Sequence, residues 1–222
     1  MIPLKDTSPR LSTPFVTVLI VVANALVFFY QLSLPPPAEM SFIYTFGMIP
    51  ARLPAALGSA SIPLVQALSP LLTSMFLHGG WLHIIGNMWF LWIFGDNIED
   101  AMGHFGYLAF YLICGIGAGL AHTFANLGST VPSVGASGAI SGVMGAYIVL
   151  YPSARVLTLV PLVFFFFTVQ LPAFVILGYW FLIQFVSGVL TAGGPNTGGT
   201  AWWAHIGGFL LGIVLVHVFR RR

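Results

Sequence analysis

The sequence is poor in charge. Its 222 residues include 7 Lys or Arg and 5 Asp or Glu, 5% of the chain, whereas water-soluble domains carry about 25%. With 58% hydrophobic residues and a mean hydropathy of +0.98, the chain could not cover itself with a polar surface. That excludes a soluble globular domain. The formal charge is only +2 and the basic residues fall in loops and at the ends, so no nucleic-acid partner is indicated. Cysteine is reduced to Cys114, inside an apolar run; it can close no intrachain disulfide and reads as a packing residue. An H-E-x-x-H pattern is missing, and no two aspartates lie within apolar runs. Zinc-peptidase and aspartyl intramembrane chemistry therefore lack their residues. Internal repeats, expected of a transporter with a midplane site, are also missing.

What is present is a series of apolar runs, and a membrane helix needs roughly 20 such residues. The chain reads as an all-α polytopic membrane protein of one domain, 1–222, with six spans. The first is 14–34, read as a retained helix because no A-x-A cleavage site follows it. Pro35-Pro36-Pro37 ends it, and 35–78, broken by prolines, is a long loop with short interfacial helices. The second span, 81–96, closes at the acidic turn Gly95–Asp100; the third is 105–124 and the fourth 135–151. The segment 156–170 holds Pro161 and is followed by Pro172, so it is expected to be interfacial or extended. The fifth span is 173–190, a glycine-rich flexible stretch covers 191–200, and the sixth span is 201–219. Six spans put both termini on one side, with Lys5, Arg10, Arg155 and the three terminal arginines against Arg52 alone on the other. By the positive-inside rule that side is cytoplasmic.

Even-numbered spans then enter from the outer face, and each starts with a polar residue. The second begins near His78-Gly-Gly-Trp-Leu-His83, the fourth with Gly135-Ala-Ser137, the sixth with Ala204-His205. At 1.5 Å rise per residue these side chains share one shallow layer. Asn87 follows His83 by one helical turn. Polar groups inside a span are costly and usually face the bundle interior or a wet cavity. Serine, histidine and hydrogen-bond donors together suit nucleophilic acyl transfer. Ser137 is the candidate nucleophile and His205 the base; His83, Asn87 and the Ser137 backbone N–H are candidate oxyanion donors. Asp6, Asp96, Glu99 and Asp100 read as loop or turn residues on the cytoplasmic side, and Glu39 as a loop residue, so the base is expected to act without a carboxylate. Stripes of small residues, Gly138, Gly142 and Gly145 against Ala204, Gly208 and Gly212, would let the fourth and sixth spans pack closely. The fifth span reads as the wall that moves to admit substrate, with Phe174, Trp180 and Phe181 expected to pack against the second span near Gly86 and Phe90 when it is closed. Three readings compete with catalysis. Bound to a metal, His78, His83 and Asn87 would lack a nearby carboxylate or thiolate. A solute transporter would need the missing repeats, and a non-catalytic membrane chaperone would need no dyad.

The pieces Phe76-x-His78 with His83 and Asn87, Gly95-Asp-Asn-Ile-Glu99-Asp100 leading to Gly103, Tyr107 and Phe110-Tyr111, Gly135-Ala-Ser137-Gly138, and Ala204-His205-Ile-Gly-Gly208 resemble those of rhomboid intramembrane serine proteases of the compact bacterial six-span type. The resemblance implies a six-helix rhomboid-like bundle with a long first loop, in the bacterial cytoplasmic membrane. It implies Ser137 as nucleophile, His205 as base, His83 and Asn87 at the oxyanion, and His78 shaping the site from the first loop. Substrates would be single-span membrane proteins met in the lipid bilayer. No metal or organic cofactor is implied, and the oligomeric state is not legible. Some relatives stack a tyrosine, four residues after the nucleophile, on the histidine; that position is Ser141 here.

Overall fold

A computed structural model describes residues 1–58, 62–162, 165–191 and 200–221. In chain order it has β1 (Ile2–Asp6), α1 (Phe15–Ser33), the short helices α2 (Pro36–Phe46), α3 (Arg52–Gly58), α4 (Leu64–Leu68) and α5 (Pro70–Thr73), then α6 (Trp81–Met102), α7 (His104–Ala125) and α8 (Ser137–Leu150). Next come β2 (Arg155–Leu162), β3 (Phe165–Pro172), α9 (Ala173–Thr191) and α10 (Trp202–Phe219). Among the described residues, α1, α7, α9 and α10 are long and apolar enough to cross a membrane, and α8 is apolar but shorter. Helices suit such runs because each satisfies its own backbone where water is absent. The chain is mostly helical and an integral membrane protein. Of the expected glycine-rich stretch 191–200, residues 192–199 lie outside the described residues, as does Arg222.

The all-α expectation needs correcting, because the structure contains a three-stranded antiparallel sheet of order β1-β2-β3. Val, Thr and Phe crowd β2 and β3, and such residues fit a pleated surface better than a helix. Pro161, opposite Phe166, lies beyond Leu159, the last β2 residue that β1 reaches. Its missing N–H therefore costs no bond to β1. The described parts of 156–170, residues 156–162 and 165–170, are thus extended, and part of the polar N-terminal stretch became the third strand. β1 stands beside the helices. Tyr147 of α8 donates its hydroxyl to Asp6, and Trp89 of α6 donates Nε1–H to the carbonyl of Pro3 at 2.6 Å. Burial raises the Asp6 carboxyl above its usual range, against the pull of the Tyr147 hydrogen bond.

The second span also ends later than expected. α6 continues through the acidic run to Met102 and stops at Gly103, whose φ of 71° is left-handed backbone that favours glycine. The acids lie within the helix and are not turn residues, and Glu99 and Asp100 each meet partners that reward that place. Glu99 is 1% exposed. It accepts the Val16 N–H and the Thr17 N–H and hydroxyl, all at 2.8 Å, and pairs with His104 Nδ1 at 2.6 Å. Those two amides open α1, whose own N-cap, Pro14, has no side-chain acceptor; Glu99 caps it from another helix. Asp100 likewise accepts from the Leu11 amide at 2.6 Å and from the Ser12 hydroxyl.

α8 lies at the centre, with every residue from Gly138 to Tyr147 buried. It is held against α10 by backbone approach. A Cβ on Gly208 would meet the Gly138 carbonyl oxygen at 2.0 Å, one on Gly212 the Gly142 oxygen at 2.0 Å, and one on Gly145 the Phe209 oxygen at 2.1 Å. No side chain fits there, so the small-residue stripes bring the two backbones together, in the range where Cα–H groups meet carbonyls. This ladder sets the register of everything at the N-terminal ends of the two helices.

Candidate active site

Ser137 is the first residue of α8 and His205 the fourth of α10. Gly135 precedes the serine with φ 126°, a left-handed backbone, and its N–H bonds the Ser74 carbonyl at 2.9 Å. The chain thus turns sharply into α8 while held to the loop before α6. At the end of that turn the Ser137 hydroxyl oxygen lies 2.7 Å from His205 Nε2. His205 is 9% exposed. The Ser137, Gly138 and Ala139 amides lie in the first turn of α8, where helical N–H groups lack intrahelical acceptors and the dipole favours negative charge.

His83 and Asn87 adjoin the same turn. A Cβ on Gly135 would fall 2.7 Å from His83 Nε2 and 3.5 Å from Asn87 Nδ2, so glycine is required there for space as well as for φ. The Gly79 amide points at His83 Nδ1, 3.3 Å away. An amide can only donate, so Nδ1 accepts and the ring proton sits on Nε2, facing the serine turn. Asn87 Nδ2 is buried and has no hydrogen-bond partner among the described residues. Two free donors therefore converge beside the Ser137 turn. His78 stands behind them. Its N–H and carbonyl pair with the Gln31 side chain of α1, both at 3.1 Å, and its ring meets His83 edge-on at 5.2 Å. Burial, with His83 adding to it, lowers the His78 pKa to about 4, so the ring is neutral and supports His83 by contact.

All of this opens on a cavity of about 1270 Å³, lined by Gly86, Asn87 and Phe90 of α6, Ser137 of α8, Trp180 of α9 and His205 of α10, among others. No group of His, Cys, Asp and Glu that could hold a metal occurs among the described residues. His122 also lines the cavity and takes a hydrogen bond from Asn126 on its carbonyl.

In this structure the fifth span is not packed in the arrangement expected of its closed state. Trp180 and Phe181 do not close on α6; they pack on Phe209 of α10 at ring distances of 6.0 and 4.8 Å. Phe174 is half exposed, and the space beside Gly86 is open. Aromatic area is better buried against the flat Phe209 face than against a glycine edge. The same packing answers the loss of an aromatic at Ser141. Trp180 lies 5.8 Å from the His205 ring at an interplanar angle of 35°, and Trp202 approaches its edge at 6.4 Å. Ser141, fully buried, gives its hydroxyl to the Ser137 carbonyl at 2.6 Å. Sequence reasoning also missed Gln184 of α9, whose Oε1 lies 2.7 Å from His205 Nδ1. The available signal was a lone amide in the middle of an apolar span.

The "Rhomboid domain" family model matches residues 66–222, which include every residue of this site. The chain is 43% identical over 70 residues to Rhomboid-like protein 11, chloroplastic, of Arabidopsis thaliana, covering 32% of this chain and 25% of that protein. It is 37% identical over 106 residues to Presenilin-associated rhomboid-like protein, mitochondrial, of Bos taurus, covering 45% and 27%. It is 30% identical over 148 residues to Rhomboid protein 1, mitochondrial, of Saccharomyces cerevisiae, covering 64% and 39%. The chain thus spans 25% to 39% of the length of these relatives. With a domain match over most of its length and the serine and histidine turns inside it, the chain belongs to the rhomboid family.

Proposed function

We propose that this chain is an intramembrane serine endopeptidase that cuts single-span membrane proteins in or near the outer leaflet. The observation that carries the reading is the 2.7 Å approach of the Ser137 hydroxyl to His205 Nε2 at the wall of a large cavity. In this reading Ser137 attacks the scissile carbonyl while His205 takes its proton, then returns it to the leaving amine. Asn87 Nδ2, His83 Nε2–H and the amides opening α8 hold the oxyanion. α6 and α8 complete a six-span bundle with α1, α7, α9 and α10, with both termini cytoplasmic, which the distribution of Lys and Arg favours. The test is labelling by a serine-reactive fluorophosphonate. The wild type should be modified and Ser137→Ala should not; equal labelling of both would remove Ser137 from the reaction.

The oxyanion assignment predicts its own result. Asn87→Ala should lower kcat by about 10²–10³-fold while leaving KM nearly unchanged, since the donor serves charge that exists only in the transition state. Steady-state cleavage of a reporter in liposomes reads both constants. A rise in KM at constant kcat would reassign Asn87 to substrate binding.

A further inference from the structure

Gln184 occupies an expensive place. It lies midway along α9, in the run Phe-Leu-Ile-Gln184-Phe-Val, and is 6% exposed. An amide buried among apolar groups costs free energy unless it is bonded, and here its bond runs to one atom of the site, His205 Nδ1. Gln184 Oε1 can only accept. Nδ1 must therefore carry the ring proton, which leaves the Nε2 lone pair facing Ser137. The opposite tautomer would set Nε2–H against the hydroxyl and could take no proton from it.

We propose that Gln184 is the positioning residue of this pair: its side-chain oxygen holds His205 in the tautomer that can accept the Ser137 proton. This rests on the reading of Ser137 and His205 as a hydrolytic pair. The chain therefore has a three-membered relay from three helices, Ser137 on α8, His205 on α10 and Gln184 on α9, closed by a neutral acceptor. When the serine proton moves to Nε2, Nδ1 keeps its own, and the imidazolium is steadied by the amide oxygen. Neutrality suits the location, because a buried carboxylate would carry a desolvation cost of several kcal/mol. Trp180, one turn before Gln184 on α9, lies over the same imidazole. One helix face thus supplies both the ring contact and the hydrogen bond.

The experiment compares Gln184→Met, which keeps volume and loses the acceptor, with Gln184→Glu, which keeps an acceptor oxygen whether ionised or not. Each is purified as the full chain in detergent. With a short soluble peptide substrate, Gln184→Met should lose about 10²-fold in kcat, the scale of a mispositioned catalytic group, with KM unchanged. Gln184→Glu should stay within about 10-fold of wild type. Nitrogen-15 NMR of the histidines should show His205 protonated at Nδ1 in the wild type and a tautomer mixture in Gln184→Met. A wild-type spectrum with Nδ1 unprotonated overturns the proposal without any variant. So does a Gln184→Met protein that keeps both kcat and tautomer. Fluorophosphonate labelling of the wild type, lost in Ser137→Ala, separates the two claims. If labelling is present and the Gln184 results fail, the hydrolytic reading stands and the positioning role falls. If labelling is absent, the hydrolytic reading falls and with it the proposed relay.

Discussion

His205→Ala is expected to lower turnover of a membrane-embedded reporter by about 10⁴–10⁶-fold, and Ser137→Ala by a similar factor. The double variant should be no worse than either single one. The two side chains meet at 2.7 Å, and in the proposed reaction they perform one act, the transfer of a proton from nucleophile to base. Once either is gone that act is lost, so removing the second costs little more. What remains is the background from oxyanion donors and substrate positioning. Single-turnover cleavage in liposomes, with folding checked by thermal unfolding, measures all three proteins. A double variant whose loss equals the product of the single losses would mean that the residues act separately, and the pair would not be a catalytic unit.

Glu99→Ala is expected to destabilise the fold by about 3–5 kcal/mol, the range for removing one partner from a buried charged network. The carboxylate serves two buried amides at the start of α1, one hydroxyl and one imidazole. Alanine offers none of them an acceptor, and each stranded amide costs about 1–3 kcal/mol. Glu99→Gln keeps one acceptor oxygen and should lose less. Because the residue lies at the far end of α6 from His83, kcat of the folded fraction should change little. Thermal unfolding in detergent, read beside fluorophosphonate labelling, checks both halves. A stable Glu99→Ala protein would show that water reaches these amides and that the carboxylate is not their essential partner.

The serine and the histidine were legible because depth in a membrane helix is one-dimensional. Counting residues from the helix starts is enough to place Ser137, His205 and His83 in one layer, and four-residue glycine spacing is enough to bring α8 against α10. Gln184 was not legible for the complementary reason. Its role depends on the angle at which α9 is rotated toward α10, and rotation is set by packing of Trp180 and Phe181 on Phe209, which no count along α9 contains. The acidic run was misread because Asp and Glu after an apolar stretch usually end a span. Their partners, Val16, Thr17, Leu11 and Ser12, are more than 80 residues away in sequence. For the sheet, Pro161 and Pro172 argued against a helix but said nothing about pairing with residues 2–6, which the β2 sequence meets only across most of the chain.

The shortness of α8 has a consequence for any polypeptide that is to be cut. Its 14 residues rise about 21 Å, against a hydrocarbon layer of about 30 Å. A lipid-facing helix of that length would thin the bilayer around it. α8 escapes the mismatch because it is wrapped by protein: α7 and α10 meet it at Gly138, Gly142 and Gly145. Its C-terminal end is level with its neighbours, since Leu150 and Tyr151 border the same hollow as Ala101 and Arg221. The missing 9 Å or so must then fall at the other end, as a pit with Ser137 at its floor. Under the proposed function, a substrate standing upright in lipid keeps its carbonyls at the rim of that pit. Bringing one to the floor takes about three residues of extended chain at roughly 3.3 Å each, so the selected segment is one that gives up nearly a full helical turn at little cost.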